Sequence, residues 1–277
     1  MGSDAGLHRR RTREDTLTAM GMPFRTDLLG WKRSSKNKLN WQWVPNTADT
    51  DNASSLRLAA LVLEYLGDPN PNHGAPDPVE PPSNPGGLLE TQVAADLATE
   101  LPRLDPHRRW DVRKGRSIVN YAQYQHLAAV DLAIAADPNL RVTLGTDYLI
   151  KPDVLVGLLD TPTTSAHPWL HAALACKWTI RSDRVQNIRH ENGNMIRHRR
   201  GRLPHLVTIT AEPLPTRLAS IARGTGEVDA TYHLAYSAMA NAVEAAGSIE
   251  QKDAWAEVTG QGRLLDYAKL AVSIATW

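Results

Sequence analysis

Apolar positions recur at helical spacing early in the chain. Leu56, Ala59, Ala60, Leu63 and Leu66 fall on one face, with Asn52 or Ser54 placed to cap the helix and Gly67 to close it. Leu89, Val93 and Leu97 give a second helix, 88–101, its apolar stripe. Between the two, residues 68–87 hold seven prolines among Asn, Asp and Gly, which predicts a surface loop. A short strand at 109–113 precedes a long helical pattern over 117–136. The pattern then changes to apolar runs of strand length: 148–158, broken by Pro152, then 172–178 and 206–211. A polar helical stretch, 183–199, separates the last two. Further helices are read at 216–223 and 232–246, with two more in the tail around Trp255 and Leu265. Residues 1–50 are polar and mixed, with Trp31, Trp41 and Trp43 as anchors, and read as an arm or loosely packed subregion.

Strands in the middle, with helices before, between and after them, predict an α/β chain whose central mixed β-sheet is flanked by helices on both faces. At 277 residues it can bury a large core without staples. The expected organisation is a single domain over 1–277. It comprises an arm or peripheral region at 1–50, the proline loop at 68–87, a core at 88–235 and C-terminal helices at 236–277.

Composition narrows the setting more than the function. The single cysteine, Cys176, excludes an internal disulfide and fits a reducing bacterial cytoplasm. His8, Arg9, Arg10, Arg11 and Arg13 have no apolar core behind them, unlike a signal peptide, and no apolar run nears the roughly 20 residues that cross a bilayer, so no membrane partner is expected. The net charge of +1 says nothing about nucleic acid, but the distribution is uneven. Between 177 and 202 stand Lys177, Arg181, Arg184, Arg189, Arg197, Arg199, Arg200 and Arg202 against Asp183 and Glu191. Such a stretch either meets phosphates or forms a solvated helix face, and charge alone favours the second.

Three pieces carry candidate chemistry. Lys151-Pro152-Asp153 puts a carboxylate at the start of an apolar strand, Leu174-Ala175-Cys176-Lys177 brings a lysine to the end of another, and Glu191 lies on the helix after it. Glu90, on an earlier helix, is a fourth candidate. Cutting a phosphodiester needs carboxylates to hold Mg²⁺, and a lysine can orient water or balance charge on phosphorus. Each signal has an ordinary reading as a turn residue, a solvated strand edge or half of a surface ion pair.

Together, residues 172–217 resemble a known family. Ala-Cys-Lys-Trp-Thr-Ile-Arg-Ser-Asp-Arg-Val-Gln-Asn, Gly-Arg-Leu-Pro-His and Thr-Ala-Glu-Pro-Leu-Pro-Thr-Arg are similar to type II restriction endonucleases of the NgoMIV kind. These are the CCGG-cutting group of the PD-(D/E)XK nuclease fold. The likeness takes in Tyr121-Ala122-Gln123-Tyr124, Leu144-Gly145-Thr146-Asp147-Tyr148, Pro152-Asp153 and Gly224-Thr225-Gly226-Glu227, and runs from about 115 to about 235.

The resemblance implies that Asp153 binds metal, that Lys177 is the catalytic lysine, and that Glu191 supplies the second acid. Ala175 stands where the usual acid would be, and related enzymes carry Ser there. Glu90 matches an additional glutamate, and the Cys176 backbone carbonyl would complete the shell of Mg²⁺, two ions per active site.

The resemblance further implies base reading by Arg181-Ser182-Asp183-Arg184. Arginine donates two hydrogen bonds to guanine and aspartate accepts from cytosine. Without the resemblance, the segment reads as a cap, Ser182 or Asp183, with flanking arginines in solvent. Arg217 matches an arginine that reads an outer guanine, and Asp51 lies near a residue placed to accept from the paired cytosine. The expected site is GCCGGC in double-stranded DNA, cut to 5′-phosphate and 3′-hydroxyl ends. A palindrome needs a homodimer or homotetramer, and a cognate methyltransferase is implied functionally. Two alternatives are a PD-(D/E)XK nuclease of repair or junction cutting, and a sequence-specific DNA-binding protein without cleavage.

Overall fold

The structure, a computed structural model, describes residues 28–137, 139, 142, 148–160, 166–224 and 226–277. The first 27 residues of the expected arm, the 144–147 segment and Thr225 lie outside them, and of Ser182 and Asp183 only the backbone is described.

A two-stranded antiparallel ribbon, β1 (Trp31–Arg33) with β2 (Trp43–Pro45), comes first. Helix α1 (Ala53–Tyr65) follows, capped by the Asn52 side chain, which accepts from the Ser55 N–H at 3.0 Å. Gly67 closes it at φ 84°, a left-handed position that costs glycine nothing. Helix α2 (Pro85–Leu104) begins three residues earlier than the expected 88, because Asn84 caps it and Pro85 takes the first turn, where no N–H is missed. Leu89, Val93, Leu97 and Leu101 are its buried stripe.

The main sheet has six strands among the described residues: β3 (Trp110–Lys114), β4 (Val154–Leu158), β5 (Trp169–Lys177), β6 (His205–Thr210), β7 (Ala230–His233) and β8 (Leu264–Asp266), in that spatial order. The β3–β4 and β4–β5 pairs are antiparallel and the other three parallel, so the sheet is mixed as expected. The helices lie on both faces. Val154, Val156, Ala172, Leu174, Cys176, Val207 and Ile209 join α1, α2, α6 (Tyr236–Ala246) and α8 (Leu270–Thr276) in the larger core. On the opposite face Leu155, Leu170, Ala173 and Leu206 pack with Tyr121, Tyr124, Ile134 of α3 (His126–Ala136) and Met195 of α4 (Ser182–His198). Helices α5 (Pro215–Ala222) and α7 (Ile249–Gly260) pack on each other beside the parallel end.

Several expectations are corrected. The 117–136 helix is a short 3-10 turn, Ile118–Asn120, and then α3 from His126. Tyr121 is extended between them, and the Gln123 amide is engaged by the β5 backbone, accepting from the Leu170 N–H at 2.8 Å and donating to its carbonyl at 2.6 Å. The 148–158 strand starts only at Val154, since Pro152 has no N–H for a ladder. Residues 232–233 of the expected 232–246 helix belong to strand β7, and the stretch around Leu265 is strand β8, paired with it, so the 236–277 region is not purely helical. The segment from 28 to 50 is not loosely packed. Trp31 and Trp43 are buried in the larger core, and the Trp178 indole N–H donates to the Asn46 carbonyl at 3.1 Å.

Candidate active site

Strand register brings the first candidates together. Val154 lies opposite Leu174 across β4 and β5, so Asp153 falls opposite Ala175 and diagonal to Lys177. Val154, Leu174 and Cys176 face the larger core. By strand alternation Asp153, Ala175 and Lys177 face the other side, towards α4. There the Lys177 Nζ donates to Asp153 Oδ2 at 2.7 Å, and the Cys176 main-chain N–H donates to the same oxygen at 2.7 Å. Among the described residues no donor engages Oδ1.

Helix α4 brings the carboxyl of Glu191 to the same region. Glu191 lines a polar cleft of about 610 Å³ together with Glu90, Cys176, Lys177 and Arg184. Its carboxyl is held above the usual range, first by partial desolvation at the cleft wall, with the Asp153 charge adding and Lys177 opposing. The Asp153 charge raises the Glu191 carboxyl while the Lys177 charge lowers it, and a hard divalent cation beside these carboxylates would relieve the repulsion. Among the described residues no three His, Cys, Asp or Glu side chains gather into a cage. The donor set here is two carboxylates plus backbone, which fits Mg²⁺ because that ion keeps several waters and takes phosphate oxygens. Cys176 can contribute only its main chain. Its side chain is buried in the core, and burial, then the charges of Asp153 and Glu90, hold the thiol well above its ordinary range.

Ala175, opposite Asp153, packs against Ile180, Val185, Ile188, Ile221 and Val228. A carboxylate there would sit against an apolar cluster, whereas Glu191 on α4 lines the polar cleft. Glu90 borders the same cleft and pairs with Lys114 at 3.3 Å.

The Arg181–Arg184 segment opens α4. Arg181 is the N-cap residue, in extended conformation and with no side-chain cap, so Ser182 and Asp183 begin the helix and neither is its cap, contrary to the capping alternative. Arg181 is exposed, while Arg184 is half-buried, donates to the Thr179 carbonyl at 2.7 Å and lines the cleft. Arg184 and Glu191 are seven residues apart and so share one face of the helix.

Arg217, in the first turn of α5, is brought to Asp49 rather than to Asp51. Its Nη2 pairs with Asp49 Oδ2 at 2.5 Å, and this bond, ahead of any other cause, lowers the Asp49 carboxyl. The charge of Arg181 also reaches Asp49. Asp51 is exposed, and its main-chain N–H donates to Asp49 Oδ1 at 3.1 Å. Asp49 is thus a residue that sequence reasoning missed, two positions from the one it named. A second is Glu212, in the Thr-Ala-Glu-Pro match. It is fully buried; Oε2 accepts from the Ile180 N–H at 2.7 Å, Oε1 accepts from the Leu214 N–H at 3.0 Å, and Arg217 lies 3.9 Å away. Burial pushes its carboxyl up to about 7 against the lowering effect of those donors.

Arg197, Arg199, Arg200 and Arg202 are exposed at and beyond the far end of α4, about 25 Å from its start. Among the described residues no helix is long and apolar enough to cross a membrane.

Comparison with known proteins gives two findings. A sequence model of the NgoMIV restriction enzyme family matches residues 37–160 and 158–276, well beyond the 115–235 stretch where the likeness is evident by motif. The type II restriction enzyme NgoMIV of Neisseria gonorrhoeae is 32% identical over 266 residues, covering 85% of this chain and 91% of that protein.

Proposed function

The chain belongs to the NgoMIV restriction enzyme family and is a type II restriction endonuclease; we propose that it uses Mg²⁺ to cut double-stranded DNA at GCCGGC, a palindrome with a CCGG core. The products carry 5′-phosphate and 3′-hydroxyl ends. The observation that carries this reading is that Lys177, Glu191 and Arg184 line one cleft, with Asp153 bonded to Lys177 at its side.

Asp153, Glu191 and the Cys176 carbonyl would hold the metal, two ions per site, with Glu90 as a further acid at the rim. Bound there, Mg²⁺ supplies charge neutralisation at the phosphate and acidifies water. Lys177 orients the attacking water in line with the leaving 3′-oxygen and balances charge gathering on phosphorus. Arg181, Asp183 and Arg184, with Ser182 between them, read the inner G·C pairs from the start of α4. Arg217 reads the outer guanine, and Asp49, which it already touches, is better placed than Asp51 to accept from the paired cytosine. A two-fold homodimer, or a tetramer built from it, repeats this on the other half-site. A methyltransferase that modifies the same palindrome protects the host.

Digestion of a plasmid with mapped sites tests the reading. Discrete fragments ending at GCCGGC, produced only with Mg²⁺, are expected. Structure-selective nicks, or mobility shifts without cleavage, would favour the repair-type nuclease or the non-cutting binder instead.

A further inference from the structure

Arg181 and Arg217 belong to segments joined by no shared secondary structure. The first ends the loop after β5, and the second lies one turn into α5, beyond β6. Between them stands Glu212, whose every polar group is engaged. Its N–H donates to Thr210 Oγ1 at 3.1 Å, and its carbonyl lies 3.1 Å from His233 Nε2. The ring's Nδ1 accepts from the Ala235 N–H at 3.2 Å, so Nε2 carries the proton and donates to Glu212. The two carboxyl oxygens divide between the segments: Oε2 takes the N–H of Ile180, the residue before Arg181, and Oε1 takes the N–H of Leu214, the N-cap of α5.

We infer that Glu212 is a positioning residue that sets the spacing between the inner-pair reader, Arg181–Arg184, and the outer-pair reader, Arg217. It touches neither DNA nor metal. It joins two main-chain amides through one rigid, buried planar group, so the segments move together or not at all. Gathering buried main-chain donors onto a carboxylate is a strong, directional link. The inference rests on the proposed base-reading roles.

The test begins by mapping the site cut by the wild-type enzyme from a randomised DNA library. Then kcat/KM is measured on that site and on variants changed only in the outer pair. In Glu212→Gln one oxygen becomes an NH₂ that faces a main-chain N–H, so one of the two links is lost. A shift of about 1 Å costs on the order of 100-fold in a positioned contact. The expected result is a fall of at least about tenfold in discrimination at the outer pair, carried by cleavage of the altered sites. Val243→Ala, in the core of α6 and away from both readers, is the comparison: it lowers Tm and leaves the ratio intact. If Glu212→Gln fails to fold, Thr210→Val keeps the shape of the strand residue but removes the acceptor of the Glu212 N–H, and the ratio is expected to fall about threefold. An unchanged ratio in the variant tested overturns the role of Glu212. A wild-type site other than GCCGGC overturns the assignment of bases instead, and the ratio, measured on the mapped site, still decides the role of Glu212.

Discussion

The two working ends of the molecule are held by different means. At the end we propose cuts DNA, Asp153 and Lys177 are set by the antiparallel register of β4 on β5, and a direct 2.7 Å hydrogen bond links them. At the end we propose reads DNA, Arg181 and Arg217 stand at a helix start and in a first helical turn, and buried or half-buried carboxylates, Glu212 and Asp49, hold them. Backbone register leaves little freedom: a one-residue slip would turn Asp153 and Lys177 to the wrong face. Side-chain links can be changed one at a time. The cutting end is therefore expected to fail completely when altered, and the reading end to fail by degrees.

The largest effect should come from Lys177→Ala. We expect kcat to fall by about 10²–10³-fold while DNA affinity in gel shifts without Mg²⁺ changes little. Normal cutting by that variant would remove the distinction at its root. Next is Arg184→Ala, which should cost about 1–3 kcal/mol of discrimination at one inner pair, read as kcat/KM across single-pair variants of the site. Uniform weakening on every sequence would instead mark Arg184 as a phosphate contact. Asp49→Asn and Asp51→Asn sharpen the outer pair. The first should relax that pair by a few-fold, since it weakens a charge-assisted bond to Arg217, and the second should leave it alone; the reverse order would restore Asp51 to the site.

The smallest effect concerns pH. The Glu212 carboxyl is raised from an ordinary 4.5 to about 7 in the folded chain. Its contribution to stability is complete below about pH 4.5 and is lost as pH rises through about 7. Glu212→Gln should flatten the Tm profile in that window relative to wild type. A parallel profile would mean the carboxyl titrates ordinarily.

How legible each end was follows from the same difference. A proline-aspartate before an apolar run and a lysine ending another are local signals, and the sheet then joins them without further information. The helix carrying Glu191 was visible from its span, and its facing residue came from the family likeness. Asp49 and Glu212 left no such trace. Asp49 reads as one of several turn acids in Thr-Ala-Asp-Thr-Asp, and Glu212 looks like an exposed residue before a proline; only packing shows that each meets a partner more than 30 positions away in sequence, or 168 in the case of Asp49. The short strands β7 and β8 were hidden for a related reason. Three or four residues carry too little periodicity to announce a strand, and their extended form is imposed by the neighbour each pairs with.

Helix α4 presents Arg184 and Glu191 on one face, about 10 Å apart along its axis. A family whose second acid stayed on the strand can reshape its recognition helix freely across generations. On the proposed roles, a lineage drifting towards a new target sequence would have to re-aim its arginines without tilting the rod that carries Glu191. On the same proposal, new specificities should accumulate at the outer base pair, where changes in α5 and the 46–51 turn leave that rod undisturbed.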